Sequence, residues 1–296
     1  MRATISLVYS KLLSDKTREK VEKSILYIAL FSFFVHLLFI YLKKFDLFFT
    51  TSESELLASP ISAIYTPFSF ILIYEVYLLI YFLPRSFTTY ITKQYEIITL
   101  IIIRKLFKDI SSLELTTNWF ENKGDLQFTY DLIASLILFF LIFLFQKQGS
   151  FKLNHDNDGK YNIQRFVNNK QFISIMLIPL FLGMAIFTLL NWTSGVSLST
   201  STIPTFESIN NLFFDQFFTV LILVDVVLLL VSFFYTDQFH KIIRNSGFII
   251  STILIRMSFG ATGLISTILI VSAALFGLAI LVIHNKFEFD IESDNE

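Results

Sequence analysis

Two acidic residues stand inside otherwise apolar runs of this 296-residue sequence, Glu75 in FILIYEVYLLIYFL and Asp225 in VLILVDVVLLLVSFF. An acid at the centre of a bilayer costs about 2.5–3.5 kcal/mol, so each carboxyl group should face protein, water or a partner charge. Three interpretations are open: an ion pair that holds helices together, a group lining a path for ions or protons, and an acid that stays protonated and hydrogen-bonded.

Four basic residues flank two short apolar segments and are the candidate partners of these acids. The segments are Tyr95–Ile103 and Asn245–Ile255, and the basic residues beside their ends are Lys93, Arg104, Arg244 and Arg256. Long basic side chains extend their charge towards the membrane interface, so a short apolar centre can still span the bilayer. At about 1.5 Å of rise per residue, the acid and the arginine of each half differ in depth by about one arginine side chain, so pairing is feasible.

Histidine is the other residue type in this chain that is suited to ligand or proton chemistry. His36 lies inside the first apolar run and could ligate haem or carry protons, whereas a hydrogen-bonded structural histidine is the alternative. His240 and His284 stand at helix ends and are not expected to pair with it. The acidic turn at 156–159 lacks the glutamate that completes a calcium loop. The sequence therefore predicts no cofactor and no metal site.

The composition identifies the elements that must position these residues as membrane helices. Hydrophobic residues make up 54% of the chain and charged residues 16%, against about 25% charged residues in soluble domains. The formal net charge of −1 gives no basic character that would favour nucleic acid as a partner. The chain has no cysteine, which excludes disulfides, thiolate metal sites and cysteine nucleophiles. We therefore predict an all-α integral membrane protein with the lipid bilayer as its surroundings.

Eight segments are candidates for transmembrane helices, which need roughly 20 apolar residues each. Six are long apolar runs: Ile25–Leu42, Pro67–Leu83, Leu132–Phe145, Phe172–Leu190, Phe217–Phe234 and Leu264–Ile283. The other two are the short segments that end beside Arg104 and Arg256. With eight spans, most basic residues fall on the side of the N-terminal tail. The positive-inside rule then puts both termini in the cytoplasm. The abundance of Phe, Ile, Lys and Asn suggests an AT-rich bacterial genome, so the membrane is predicted to be a bacterial inner membrane.

The eight segments divide into two similar sets of four. Aligning Glu75 with Asp225 matches apolar runs of similar length, and a two-residue insertion then aligns EIITLIIIR with FIISTILIR, so that Arg104 meets Arg256. The next helices also begin alike, with LIASLIL in one half and LISTILI in the other. Because each set has four helices, both halves enter the membrane in the same direction, as in the parallel repeats of some transporters.

This pattern divides the chain into five parts. An N-terminal segment (1–24) is predicted to be amphipathic and to lie on anionic lipid, because apolar residues are followed there by a basic run. A docking helix for a partner protein is the alternative. The first four-helix repeat spans 25–146, a polar cytoplasmic linker 147–171, the second repeat 172–284 and an acidic cytoplasmic tail 285–296.

The order of helices and charges in the first repeat resembles the four-helix voltage-sensor-like module of the ion-channel superfamily. Glu75 matches the acid of the second helix in that module, Glu96 matches the acid of the third, and Arg85 follows the second helix as basic residues do there. The resemblance implies a cytoplasmic N-terminus and a channel-like protein. The fourth helix, Asp131–Gln146, has none of the arginines that move in such modules, so voltage sensing is not implied.

These patterns predict a membrane protein that moves an ion or a small solute through a path lined by buried acids. The candidate site residues are Glu75, Asp225, Arg104, Arg256, Lys93, Arg244 and His36. The alternative is a non-transporting scaffold or a subunit of a larger membrane complex, and a homo-oligomer is compatible with either function. Enzymatic activity is least favoured, because the sequence has no phosphate-binding glycine loop, metal-ligand spacing or nucleophile elbow.

Overall fold

The structure, a computed structural model, describes residues 2–45, 60–110, 123–149, 160–198, 206–236, 238–261 and 263–293, and most of these residues are helical. The helices are α1 (Arg2–Leu12), α2 (Asp15–Lys44), α3 (Tyr65–Phe82), α4 (Phe87–Ile110), α5 (Lys123–Gly149), α6 (Lys160–Leu198), α7 (Phe206–Phe233), α8 (Phe239–Ser258) and α9 (Leu264–Ser293). A short 3-10 helix, Pro60–Ile64, precedes α3. Within these ranges no strand occurs, which confirms the all-α class.

Five stretches of helix among the described residues are long and apolar enough to cross a membrane: Leu7–Lys44, Gly124–Gly149, Gln164–Phe187, Gln216–Phe233 and Leu264–Ile291. They correspond to five of the six long apolar runs of the sequence, as expected of a membrane-embedded protein. The remaining run forms α3, whose apolar part, Thr66–Phe82, is shorter. Helices α4 and α8 are not among the five, because charged and polar residues interrupt them.

Local sequence signals set where the helices begin and end. Ser14 separates α1 from α2, because its backbone is extended and its hydroxyl accepts a hydrogen bond from the Thr17 backbone N–H at 3.2 Å. The predicted amphipathic segment is therefore two helices with a capped junction. Ser86 caps the start of α4 in the same way through the Thr89 backbone N–H. Pro84, between α3 and α4, cannot donate to a helical ladder, so the chain turns there.

The chain forms two compact units, each made of two chain segments. Unit 1 contains Met1–Tyr81 and Asn169–Asp225, and unit 2 contains Phe82–Asn168 and Val226–Glu296. Unit 1 therefore holds α1, α2 and α3 with most of α6 and α7, whereas unit 2 holds α4, α5, α8 and α9. Each unit combines helices from both halves of the chain, and it takes the same two positions from each predicted repeat.

In unit 1, α2 and α3 run antiparallel as a helical hairpin. His36 Nδ1 lies 2.5 Å from Thr66 Oγ1, near the start of α3. Further along α3, the Tyr74 hydroxyl donates to Glu22 Oε2 at 2.7 Å. Later residues of α3 therefore contact earlier residues of α2. The C-terminal half of α3 is thus level with the charged first turns of α2.

Unit 2 is a four-helix bundle in which α4 pairs with α5, α8 pairs with α9, and α5 packs against α9. In the antiparallel pair of α4 and α5, Lys105 lies 2.7 Å from Asp131 near one end, and Gln146 donates to Glu96 at 2.8 Å near the other. Helices α8 and α9 are joined by a short connection in which Gly263 has a φ of 70°, a conformation that favours glycine. The bundle therefore consists of two helical hairpins packed side by side.

Candidate functional site

Three charged side chains are buried in unit 1. Glu75 on α3, Lys170 on α6 and Asp225 on α7 have exposed fractions of 5%, 1% and 0%. Their formal charges add to −1, and none of the three is without an interaction partner. A charge buried to this degree is stable only when it is paired, hydrogen-bonded or neutralised by a proton. Each of the three is therefore a candidate functional residue of unit 1.

A tyrosine ladder on α3 positions Glu75. Tyr74, Tyr77 and Tyr81 stack along one side of the helix with 6.5 Å between successive ring centroids. Their hydroxyls donate hydrogen bonds to the start of α2 and to the end of α1: Tyr74 to Glu22, Tyr77 to the Leu12 carbonyl, and Tyr81 to Asp15. The ladder thus fastens the C-terminal half of α3 to the polar end of α2.

Glu75 lies near the polar end of this hairpin. It stands at the middle of α3, as the sequence predicts, and directly after Tyr74. The apolar run of α2 begins only at Ile25, three residues beyond the partner of Tyr74, Glu22. The middle of α3 therefore meets the charged turns of α2, and Glu75 is not level with the middle of the apolar run.

Removing one hydroxyl tests the contribution of the tyrosine ladder to the stability of the fold. Tyr74→Phe keeps the ring stacked on Tyr77 but removes a donor from the Glu22 carboxylate, and a hydrogen bond to a charged group contributes about 1.5–3 kcal/mol. We expect the free energy of unfolding to fall by roughly that amount in detergent-solubilised protein. Tyr27→Phe is the matched control, because Tyr27 is 73% exposed. Equal effects of the two changes would contradict a structural role for the ladder.

Asp225 is level with the buried lysine. Only seven residues connect α6 to α7, so packed neighbours joined in this way run antiparallel. Phe181 of α6 packs on Phe217 of α7 with ring centroids 4.6 Å apart. Asp225 lies eight residues after Phe217 on α7. Eight residues before Phe181, α6 has the turn that contains Lys170 and Ser174, and both of these side chains are buried. The second acid and the lysine therefore lie at one level of unit 1.

The two arginines that the alignment of the halves matches, Arg104 and Arg256, belong to unit 2. Arg256 is 6% exposed and donates from Nη2 to Gln94 Oε1 at 2.7 Å. Arg104 is half-buried on α4 and also has an interaction partner. Because Glu75 and Asp225 belong to unit 1, the pairing of each acid with an arginine stays a prediction.

Lys93 forms a local ion pair on α4. Its Nζ lies 2.6 Å from Glu96 Oε2, one turn further along the helix, and 5.2 Å from the centre of the Phe82 ring. Both charged side chains are about one-third exposed, at 30% and 27%. Glu96, the acid in the third-helix position of the voltage-sensor-like pattern, is thus held by neighbours in unit 2.

His36 is hydrogen-bonded inside unit 1. Its Nδ1 and the Thr66 hydroxyl join α2 to the beginning of α3. This contact is of the structural kind that was the alternative to haem ligation or proton transfer. The histidine thus contacts α3 within the hairpin, and its role as a ligand or proton carrier stays a prediction.

Two buried hydroxyl groups link α4, α8 and α9 inside unit 2. Ser251 Oγ donates to the Ala273 carbonyl at 2.6 Å, so the Tyr95 hydroxyl, 2.6 Å from the same oxygen, is the donor of the second bond. The Tyr95 ring is buried and packs edge-on against Phe145, at 5.2 Å between centroids. Gly277 lies beneath this hydroxyl, and a Cβ at that position would overlap with the tyrosine oxygen. The tyrosine therefore requires glycine on α9.

Two histidines and a glutamate meet where α8 begins and α9 ends. The rings of His240 and His284 are stacked with centroids 5.2 Å apart. Glu288 Oε1 lies 3.3 Å from His284 Nε2 and 3.9 Å from His240 Nε2. Arg244 donates from Nη1 to His284 Nε2 at 2.8 Å, and from Nε and Nη2 to Asn245 Oδ1 at 3.2 and 3.1 Å. The three ligand atoms lie within 4.8 Å of one another, which makes this His–His–Glu cluster a candidate metal centre.

The surroundings of His240 favour its neutral form. Burial lowers the pKa of His240 from its usual value, and His284, Lys241 and Arg244 lower it further, whereas Glu288 acts in the opposite direction. The usual pKa of a histidine is about 6.5, so the ring is largely unprotonated at neutral pH. An unprotonated ring nitrogen can accept a hydrogen bond or bind a metal ion.

Sequence reasoning did not find Lys170 or the His–His–Glu cluster. The sequence places Lys170 at the end of the polar linker, where an exposed position is expected, and only the fold shows its burial. His284 and Glu288 are four residues apart, a spacing that puts two side chains on one face of a helix. That spacing was a usable signal, but the third member, His240, is distant in the sequence and is brought in by the α8–α9 hairpin.

No protein-family model matches the chain, and neither a curated protein nor a solved structure is significantly similar to it. The resemblance of the first repeat to the voltage-sensor-like module therefore stays a prediction from the sequence.

Proposed function

We propose that the protein crosses the cytoplasmic membrane about eight times and carries a proton or another small cation along a path lined by Glu75 and Asp225. The observation that carries this proposal is the burial of both acids with Lys170 in unit 1, where the formal charges leave an excess of −1. Ionisable residues inside membrane helices are costly, and they commonly mark ion pathways and proton relays. An excess negative charge favours a cation as the transported species.

Three helices would extend the five long apolar ones to eight spans. Helix α3 has 18 residues, α4 has 24 and α8 has 20. At about 1.5 Å per residue, their lengths are roughly 27, 36 and 30 Å, and the hydrocarbon core of a bilayer is about 30 Å thick. Basic side chains near the ends of α4 and α8 can extend to the interface. The distribution of lysine and arginine favours cytoplasmic positions for both termini.

The proposal includes a parallel repeat of four helices. Under the alignment of the two halves, Tyr95 and Phe145 of the first hairpin of unit 2 correspond to Gly247 and Gly277 of the second. Tyr95 contacts Phe145 across the α4–α5 pair. Gly247 is level with Gly277 across the α8–α9 pair, because a hydroxyl of α8 bonds a carbonyl of α9 one turn away. Residues that correspond in the alignment thus face each other in both hairpins, and this agreement supports the repeat.

Flux into proteoliposomes tests the proposed path. Glu75→Gln removes one buried carboxylate and leaves Lys170 and Asp225 with opposite formal charges, so the fold should be retained while a cation-binding group is lost. We expect proton flux, followed with an internal pH-sensitive dye under an imposed membrane potential, to fall to the level of empty liposomes. Asp131→Asn is the matched control, because Asp131 is also buried, at 4% exposed, but is paired with Lys105 in unit 2.

Asp225→Asn should have the same effect on flux, with gel filtration in detergent reporting whether each variant stays folded. Full flux through a folded Glu75→Gln protein would overturn the proposal. Wild-type flux of protons, and of Na⁺ and K⁺ followed with ion-selective dyes, that is no higher than in empty liposomes would overturn it as well. Either result would favour the non-transporting scaffold or complex subunit. A protein of that kind would tolerate both amide substitutions and would co-purify with a partner in mild detergent.

A further inference from the structure

The His–His–Glu cluster of unit 2 has the donor atoms of a transition-metal site. Two imidazole nitrogens and one carboxylate oxygen are a ligand set found in catalytic zinc sites and in non-haem iron sites. Mg²⁺ and Ca²⁺ prefer oxygen ligands, so the two nitrogens select against them. We propose that His240, His284 and Glu288 bind one divalent transition-metal ion, with Zn²⁺, Co²⁺ and Fe²⁺ as the class of ligand.

The distances within the cluster suit such an ion. Metal–nitrogen bonds of about 2.0–2.1 Å in a tetrahedral site put neighbouring ligand atoms about 3.3 Å apart. Glu288 Oε1 is already 3.3 Å from His284 Nε2, and it is 3.9 Å from His240 Nε2. All three ligand atoms lie within 4.8 Å of one another, so small side-chain rotations close the site. Three protein ligands leave a coordination position open for water or another ligand.

The supporting elements are rigid. His284 and Glu288 are one turn apart on α9, and His240 stands in the first turn of α8, which packs against α9 along its length. His284 is only 3% exposed, and its Nδ1 has no hydrogen-bond partner among the described residues. Ligands on two packed helices are held more precisely than ligands on loops.

Arg244 occupies the position of a cation in this arrangement. Its Nη1 donates to His284 Nε2, so that nitrogen presents a lone pair, as a metal ligand must. The same guanidinium also holds Asn245 Oδ1 through two other N–H groups. Metal binding therefore displaces Nη1 from His284 while the contacts with Asn245 can remain. Arg244 competes with the metal, because its positive charge opposes a second cation at the same nitrogen.

Titration of the full-length chain with Co²⁺ tests the site. The protein is purified in detergent, its affinity tag is removed, and chelator strips it of metal before visible absorption is recorded. The chain has no cysteine and only four histidines, His36, His155, His240 and His284, so competing sites are few. We expect one Co²⁺ per chain with a ligand-field band, displacement of the Co²⁺ by Zn²⁺, and a higher melting temperature with Zn²⁺ bound.

Variants decide the identity of the ligands. His284→Asn and Glu288→Gln should each weaken Co²⁺ binding by about 100-fold or more, and Glu288→Gln keeps the test valid if the histidine variant fails to fold. Arg244→Gln should strengthen binding by roughly tenfold, which corresponds to about 1.4 kcal/mol of relieved repulsion. His36→Asn should bind as the wild type does. Co²⁺ binding that is absent, or unchanged in both ligand variants, would overturn the proposal.

Discussion

Lys170→Met is expected to lower the free energy of unfolding by about 3–5 kcal/mol, the usual cost of removing one partner from a set of buried charges. Lys170 is 1% exposed in the unit that also buries Glu75 and Asp225. Methionine has a similar length and no charge, so the substitution changes the formal charge of this set from −1 to −2 while it preserves most of the packing. Reversible unfolding in mixed micelles measures the loss.

Two further variants establish the cause of this loss. Lys20→Met removes an exposed lysine from α2 and should change the free energy of unfolding by less than about 0.5 kcal/mol. Adding Asp225→Asn to Lys170→Met should recover much of the stability, because it removes one of the two buried carboxylates that remain. A Lys170→Met protein as stable as the Lys20→Met protein would show that the acids are protonated, and it would contradict the ionic description of the site.

Gly277→Ala is expected to lower the free energy of unfolding by about 3 kcal/mol, at the upper end of overpacking costs. The added methyl group would overlap with the Tyr95 hydroxyl and would lie 3.0 Å from Ser251 Oγ. Neither neighbour can move easily, because the tyrosine ring is packed on Phe145 and the serine is bonded to a backbone carbonyl. Gly183→Ala is the matched control, since a Cβ there meets no atom within 4 Å.

Removing the hydroxyl should relieve this clash. Tyr95→Phe alone loses one hydrogen bond and should cost about 1 kcal/mol. In the Gly277→Ala protein the same change should be stabilising, because it removes the overlapping oxygen, although the ring carbon at 3.2 Å keeps the rescue partial. A double-mutant cycle measures this change of sign. Additive losses would mean that Tyr95 and Gly277 do not share this contact.

The membrane helices are the part of the fold that the sequence predicts well. A run such as Leu264–Ile283 requires no knowledge of its neighbours, since its length of 20 residues and its apolar character alone suit a bilayer. The grouping of helices into two units was not predictable in this way. Leu138 is 1% exposed and the adjacent Phe139 is 72% exposed, yet both are apolar, so composition does not separate the packed face from the outer face.

The site was predictable only where a charge contrasts with its neighbours. Glu75 and Asp225 stand out because apolar residues surround them, and the structure buries both. Lys170 does not stand out, because it follows a polar linker. The level of Glu75 was not predictable either, since it depends on the displacement of α3 along α2 that the tyrosine ladder imposes. Hydrogen bonds between residues distant in the sequence fix such displacements.

The fit of the Tyr95 hydroxyl over Gly277 bears on the ancestry of the chain. Under the alignment of the halves, the large pair Tyr95 and Phe145 corresponds to the small pair Gly247 and Gly277. In a homodimer of the first half, each Tyr95 would face Phe145 of the other copy, because Phe145 is the counterpart of Gly277. A homodimer of the second half would have no aromatic ring to fill the same space. If the halves descend from one gene, they have diverged into complementary partners, and neither can now substitute for the other.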